Sequence, residues 1–244
     1  MAGDRPTFDD LRAVFLNCSL KHEPRSSHTM RLVQRSVGIM EALGVEVDVI
    51  HMLEHQVAFG MQKDMTEHGA QRDDWPELHE RIMAADVLVF ATPIWLGEPA
   101  SVAALAMERL YAYSSDTNDR GQYAYYGKAG GCIVTGNEDG VKACAKQLLY
   151  GMQHIGYSIP PQADTGWIGE IGPGPSYGDV IEGQDRPVGF DSEFTNKNTT
   201  FMTWNVLHMA RLLRDAGGFP VPGNQGDGWQ DVENATQHEP SPLE

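Results

Sequence analysis

Cysteine is scarce in this chain: Cys18, Cys132 and Cys144 are the only three. They are scattered and form no CxxC pair, which excludes a disulfide framework. Basic residues are also few. Lys and Arg total 18 against 34 Asp and Glu, a formal net charge of -16. Such a surface repels nucleic acid and anionic membranes, so neither is an expected partner. No apolar run approaches the roughly 20 residues of a membrane span. Met1 to Asp10 lacks the basic-then-apolar layout of a signal peptide. The expected compartment is the cytoplasm. Two phosphate-binding glycine signatures are missing as well. There is no G-x-G-x-x-G and no G-x-x-x-x-G-K-[ST], which argues against a Rossmann dinucleotide fold and a P-loop NTPase. Ser19 has no His and Asp partners in a recognisable motif, so a hydrolase triad is unsupported.

What the chain does have is a core-forming composition, 41% hydrophobic and 21% charged in 244 residues. Apolar segments alternate between two periods. Arg12–Asn17 and Val45–Ile50 read as strands, and Asp86–Thr92, a continuous apolar run, reads as a strand buried on both faces. Lys128–Thr135 is a further strand, and Tyr157–Ile159 starts a short last one, broken by Pro160 and Pro161. Between them lie helical patterns. Leu32, Val33, Ser36, Val37, Met40 and Leu43 share one face of a helix that Gly44 stops. Trp75–Ala84, Pro99–Tyr113 and Asp139–Ile155 are the next three helices. Asn196–Ala216 is the last, with Phe201, Trp204, Leu207, His208, Arg211 and Leu212 on one stripe. His51–Asp74 is a long connection with no clear period. The alternation implies a doubly wound, five-stranded parallel sheet with helices on both faces. The expected organisation is one domain over 1–216, with a core at about 12–160, an excursion at 162–195 and the final helix at 196–216. An acidic, Gly- and Pro-rich arm or tail covers 217–244.

On such a sheet, ligands sit outside the carboxyl ends of the strands, at the point where strand order reverses. Three loops fall there. The first, Cys18 to Thr29, gathers Ser19, Arg25, Ser26, Ser27, His28 and Thr29 at a helix start, where free N–H groups and hydroxyls suit a phosphate. One helix cap accounts for one hydroxyl there, not four. The second, Thr92 to Ser101, contains Pro93, Ile94, Trp95, Leu96 and Gly97; Trp95 offers a flat apolar surface. The third, Thr135 to Gly140, contains Gly136 for close backbone approach, Asn137 to bond a ring edge and Asp139 to cap the next helix. His51 and His55, four apart, lack matching carboxylates or cysteines and read as surface or interface residues rather than metal ligands. Cys18 and Cys132 read as small buried apolar residues. His208 and Trp204 read as packing residues.

Taken together, the loops resemble the flavodoxin-like NADPH-dependent FMN reductase family. The family's G-S-x-R and S-N-T are echoed by Ser19 and by Ser27-His28-Thr29. Its T-P-x-Y/W-x-G-x-P-S is matched from Thr92 to Pro99 with Ala100-Ser101, and its T-G turn by Thr135 to Gly140. Cys18 departs from the usual glycine. The absence of a cysteine cluster near the second loop argues against the family's iron–sulfur branch. The resemblance implies bound FMN, with NADPH or NADH as donor and a quinone, free flavin or similar small molecule as acceptor. It implies that Ser19, Arg25, the Ser26–Thr29 turn, Pro93–Gly97, Thr135–Asn137, Asp139 and Gly140 bind the cofactor. The flavin itself carries the chemistry, so no catalytic side chain and no metal is expected. A homodimer or homotetramer is also implied, with His51–Met65 and the last helix as contact surfaces. Segments beyond the last strand reach a neighbouring subunit's flavin in such proteins. The alternative from another class is a flavodoxin-like electron carrier without NAD(P)H turnover of its own.

Overall fold

The computed structural model describes residues 6–170, 172 and 174–228. In chain order the elements are β1 (Arg12–Asn17), α1 (His28–Ala42), β2 (Glu46–His51), α2 (Trp75–Met83), β3 (Val87–Trp95), β4 (Glu98–Pro99), α3 (Ser101–Tyr111), β5 (Ala129–Gly136), α4 (Val141–Ile155), β6 (Asp164–Ile168) and α5 (Glu193–Asp215). Strand order is β2-β1-β3-β5-β6, all parallel, with β4 folding back antiparallel on the end of β3. This is the flavodoxin-like doubly wound order, whose ligand crevice lies between the ends of β1 and β3.

The period-2 pattern of the strands explains the two-layer covering. Leu16, Phe90, Cys132 and Val134 point to one face and join a buried cluster with side chains of α2, α3 and α4. Phe15, Val89, Ala91 and Ile133 point to the other and pack with α1 and α5. Both faces of the central strands are apolar because both are covered. Cys18, Cys132 and Cys144 are buried and unpaired. Burial pushes the Cys18 and Cys132 thiols well up from their ordinary value.

Several expectations need revision. The fifth parallel strand is Asp164–Ile168, inside the segment read as an excursion; Ser158 contributes only an isolated bridge to Ala129. The buried stripe of α5 is Thr195, Thr199, Met202, Thr203, Val206, Leu207, Ala210 and Leu213. Phe201 and Leu212 are exposed instead. Threonines hold that stripe: Thr203 Oγ1 lies 2.6 Å from Ser36 Oγ of α1, and Thr199 Oγ1 lies 3.0 Å from Thr165 Oγ1 of β6. Trp204 and His208 pack on Phe8, as expected of them. The stretch from Gly217 to Gly226 is docked on the loop before β5. Gln122 Nε2 donates to Pro220 O (3.0 Å) and Asn224 Oδ1 (2.8 Å), and Arg120 Nη1 donates to Gly217 O (2.6 Å). The rest of the expected tail, 229–244, lies outside the described residues.

Candidate functional site

The carboxyl ends of β1, β3 and β5 open into one cavity of about 670 Å³. Its floor is fixed by cross-strand partners. Asn17 and His51 stand opposite each other at the ends of β1 and β2. His51 Nε2 lies 2.9 Å from Lys21 O, and Nδ1 lies 2.7 Å from Asn17 Nδ2. A carbonyl only accepts, so the ring carries its proton on Nε2, and Nδ1 accepts from the Asn17 amide. Asn17 Oδ1 then accepts from Ser19 N at 3.2 Å. His51 is 4% exposed. It is therefore neither a surface residue nor a ligand to a metal, but a pin beneath the first loop. Lys21 closes that loop from above, with Nζ donating to Ser26 O at 2.9 Å.

The hydroxyls of the first loop divide by role. Ser27 Oγ caps α1, accepting from Met30 N at 3.0 Å. Ser26 Oγ donates to Glu23 O, and Arg25 and Ser26 line a separate hollow with Glu23 and Glu54. Thr29 Oγ1 pairs with Thr135 Oγ1 at 2.7 Å, tying α1 to β5. Ser19, Lys21, His28 and Thr29 line the cavity. Helix α1 thus presents its positive N-terminal end there, beside the Lys21 ammonium.

The opposite wall is apolar. Pro93, Ile94 and Trp95 line it, and Trp95 is 55% exposed. β3 and β4 form a hairpin whose two turn residues, Leu96 and Gly97, have φ of 54° and 78°. Two positive φ values mark the turn type that matches strand twist, at a steric cost for leucine. Glu138 Oε1 accepts from Leu96 N at 2.9 Å and so joins the second loop to the third. The two loops also touch at Gly140, where a Cβ would sit 2.9 Å from Gly97 Cα.

The third loop departs from expectation in two ways. Asp139 is exposed and does not cap α4; Gly140 holds the N-cap position and has no side chain to offer. Both amide hydrogens of Asn137 are engaged within the protein. Its Nδ2 donates to Gly174 O (2.7 Å) and Pro175 O (3.0 Å), and its Oδ1 accepts from Ser176 Oγ (3.1 Å). The segment after β6 therefore folds back over the cavity of its own chain, where Gly172, Gly174, Ser176 and Tyr177 complete the lining.

Of the residues expected from sequence, the cavity brings together Ser19, His28, Thr29, Pro93, Ile94, Trp95, Thr135, Gly136 and Asn137. Arg25, Ser26, Ser27, Leu96, Gly97, Asp139 and Gly140 stand outside its lining, as a cap, a turn or a neighbouring loop. Leu20, Lys21 and Glu138 join the lining, and so do Gly172, Gly174, Ser176 and Tyr177, from the segment beyond the last strand that the resemblance sends to a neighbouring subunit's flavin but that here covers the cavity of its own chain. Lys21 sits where the family pattern carries an arginine, a signal that pointed to it. The partners of 174–178 lie 37–39 residues away at Asn137 and 147–150 away at Arg31 and His28, a pairing with no local signal.

Burial lowers the His28 pKa from its ordinary value, with Lys21 and Arg31 acting in the same direction and Asp179 against it. The site thus combines a cationic, N–H-rich end with a flat apolar side. That is the donor set an amphiphile with an anionic head and a planar body requires.

A doubly wound sheet with this crevice defines a flavodoxin-like α/β protein. The chain belongs to the NADPH-dependent FMN reductase family, whose model matches residues 11–165. It is 36% identical over 211 residues to the 8-demethyl-8-aminoriboflavin-5′-phosphate synthase of Streptomyces davaonensis, covering 84% of this chain and 79% of that protein. The structure of RosB with bound intermediate OHC-RP (8-demethyl-8-formylriboflavin-5′-phosphate) matches with a TM-score of 0.74 at 35% identity, covering 84% of this chain and 81% of that one. The chain is also 56% identical over 209 residues to a Mycobacterium bovis protein named divalent metal cation transporter MntH. That match covers 86% of this chain and 30% of the M. bovis protein. Among the described residues, no helix is long and apolar enough to cross a membrane, and no group of three or more His, Cys, Asp or Glu is placed to hold a metal ion.

Proposed function

We propose that the cavity binds riboflavin 5′-phosphate (FMN) as a resident cofactor. In this reading the protein is an NAD(P)H-dependent oxidoreductase acting on a quinone, free flavin or similar small acceptor. The observation that carries the reading is the polarity of the cavity at the ends of β1, β3 and β5, cationic at the α1 end and apolar along β3. Ser19, Lys21 and the first amides of α1 would take the phosphate. Pro93, Ile94, Trp95 and Tyr177 would flank the ring. When bound, the flavin supplies hydride acceptance and delivery. The chain's own task is placement. The His51–Asn17 pin fixes the first loop, Glu138 fixes the hairpin, and Asn137 holds the wall formed by 174–176. The exposed Trp95 and Leu96 hairpin leaves the mouth accessible to a nicotinamide and then to an acceptor. No side chain is assigned as acid or base.

Self-association belongs to the same proposal. Met61 of the 52–74 connection, 49% exposed, lines a groove between α3 and α4 with Met107, Tyr111 and Tyr150, and Phe59 of the same connection is 79% exposed. Sedimentation analysis of the full chain is expected to give a species larger than a monomer.

The test of turnover is an anaerobic absorbance titration of the flavin-loaded protein with NADPH and then NADH. Bleaching that is reversed by a quinone supports the reductase. Bleaching by dithionite alone favours the electron carrier. A second reading takes the flavin phosphate as substrate, and the names of the synthase relative and of its bound intermediate favour it. Mass analysis of the flavin recovered after incubation separates the two, because only a substrate changes mass.

A further inference from the structure

The segment Gly174–Asp179 is a strap across the cavity, fastened at two points. The first is Asn137, through the three hydrogen bonds of its side-chain amide. The second is the start of α1. Gly178 N donates to His28 Nδ1 at 3.0 Å, and Arg31 Nη1 donates to Gly178 O. The strap is itself a rigid turn. Ser176 N donates to Asp179 Oδ2 at 2.7 Å, and Asp179 N donates to Ser176 O at 2.9 Å. Tyr177, 1% exposed, is packed edge-on to Trp167 and tilted against Phe190. At Gly178 the approach is close enough that a Cβ would lie 2.5 Å from Arg31 Cδ and 2.9 Å from His28 Nδ1.

We infer that His28 is a positioning residue for the ligand: its Nδ1 clasps the strap shut over the cavity, and the clasp holds only while that nitrogen carries no proton. An acceptor nitrogen needs its lone pair, so the clasped ring is neutral with its proton on Nε2. That Nε2 faces Asp179 Oδ1 at 3.6 Å. A second proton on Nδ1 would set two donors head to head at Gly178. The charged groups facing the ring are Lys21, Arg31 and Asp179. The two cations and burial keep it neutral, while Asp179 favours the proton. A phosphate dianion brought to the same helix end also favours the proton, so the clasp is more sensitive to acid in the loaded protein. The Asn137 fastening does not titrate. Acid therefore loosens the His28 clasp and leaves the Arg31 and Asn137 bonds to the strap in place.

This inference rests on the flavin reading, and the test keeps the two separable. The FMN-loaded full chain is diluted, and flavin release is followed by fluorescence from pH 8 to pH 5. The wild-type chain is compared with His28→Asn, whose amide oxygen can accept the same bond without titrating, and with His28→Ala. Loss of one hydrogen bond, about 1.4 kcal/mol, corresponds to release roughly tenfold faster. The wild-type chain is expected to show that increase on acidification. His28→Asn is expected to stay slow, apart from the phosphate titration common to all three. His28→Ala is expected to release fast throughout. Equal pH profiles for the wild-type chain and His28→Asn, or slow release from His28→Ala at pH 8, would overturn the inference. Hydrogen exchange at the Gly178 amide of the flavin-free protein provides an independent readout. Protection in the wild-type chain and His28→Asn, but not in His28→Ala, supports the clasp even if FMN does not bind; equal protection in all three refutes it.

Discussion

Two clusters of buried polar groups have opposite characters. Beneath the 52–74 connection, Arg109 and Asp73 form an ion pair of 2.6 Å with no exposed side-chain surface. Arg109 also donates to Lys63 O at 3.1 Å and lies over the Trp75 ring. Nearby, His79 stacks on Tyr113 at 3.5 Å and bonds Tyr125 Oη, which donates to Leu110 O. Every partner there belongs to the scaffold, and none of these residues lines the strand-end cavity. At the strand ends, buried groups such as Asn17 and His51 brace a loop whose Lys21 and helix amides face open space. Buried charge and a shifted histidine alone do not mark a site. A site also needs a concave space into which bracing groups present unspent donors.

The largest effect is expected at the ion pair. Replacing Arg109 with Ala leaves Asp73 buried and unpaired and is expected to cost about 3–5 kcal/mol in chemical denaturation. Ligand affinity of the molecules that remain folded should be unchanged. If that variant unfolds at wild-type denaturant concentration, the pair is not structural in the sense claimed.

Acid comes next. Burial lowers the His79 pKa from 6.5 to about 4. Above pH 6.5 the ring is neutral both folded and unfolded. Between pH 6.5 and about 4 only the unfolded chain takes up the proton, so stability falls as pH falls. The loss is about 3 kcal/mol by pH 4, at 1.36 kcal/mol per unit. His79→Gln should flatten this part of the stability profile; a slope unchanged by the substitution would assign it to other groups.

Lys21→Ala acts at the strand ends alone. It is expected to weaken FMN binding about tenfold, since one exposed charge-assisted contact is lost, while leaving riboflavin binding and denaturation midpoint unaltered. Equal losses for both flavins would mean the variant disturbs the loop rather than the phosphate end. The smallest effect is at the hairpin tip. Leu96→Asn removes a positive-φ leucine and should stabilise by about 1 kcal/mol in thermal unfolding; destabilisation would show that the exposed Leu96 side chain makes a contact of its own.

The legible parts of the chain are those whose signal is local. Strand β3 is a continuous apolar run, and the Thr92–Pro99 and Thr135–Gly136 turns carry their own proline and glycines, so the strand ends and the cavity between them follow from spacing. β6 was hidden because Asp164-Thr165-Gly166 carries little apolar signal after Pro160-Pro161. The α5 stripe was misread because its buried face uses Thr195, Thr199 and Thr203, which hydropathy counts as polar and which the fold satisfies with hydroxyl partners. Nothing near His51 in sequence reveals Asn17 and Lys21 as its partners, so from sequence it reads as a surface or interface residue. The strap reaches the site through tertiary contacts alone. Asn137 lines the cavity, and nothing near it in sequence reveals that Gly174 O and Pro175 O accept from its amide.

On the proposed reading, the strand-end cavity takes a flavin by its phosphate. The most direct test of that reading is equilibrium titration of the full flavin-free chain with FMN and with riboflavin, followed by flavin fluorescence. The account predicts saturable FMN binding that is at least about tenfold tighter than riboflavin binding, the equivalent of one or more charge-assisted phosphate contacts. Equal affinity for the two, or no binding of FMN, would contradict it.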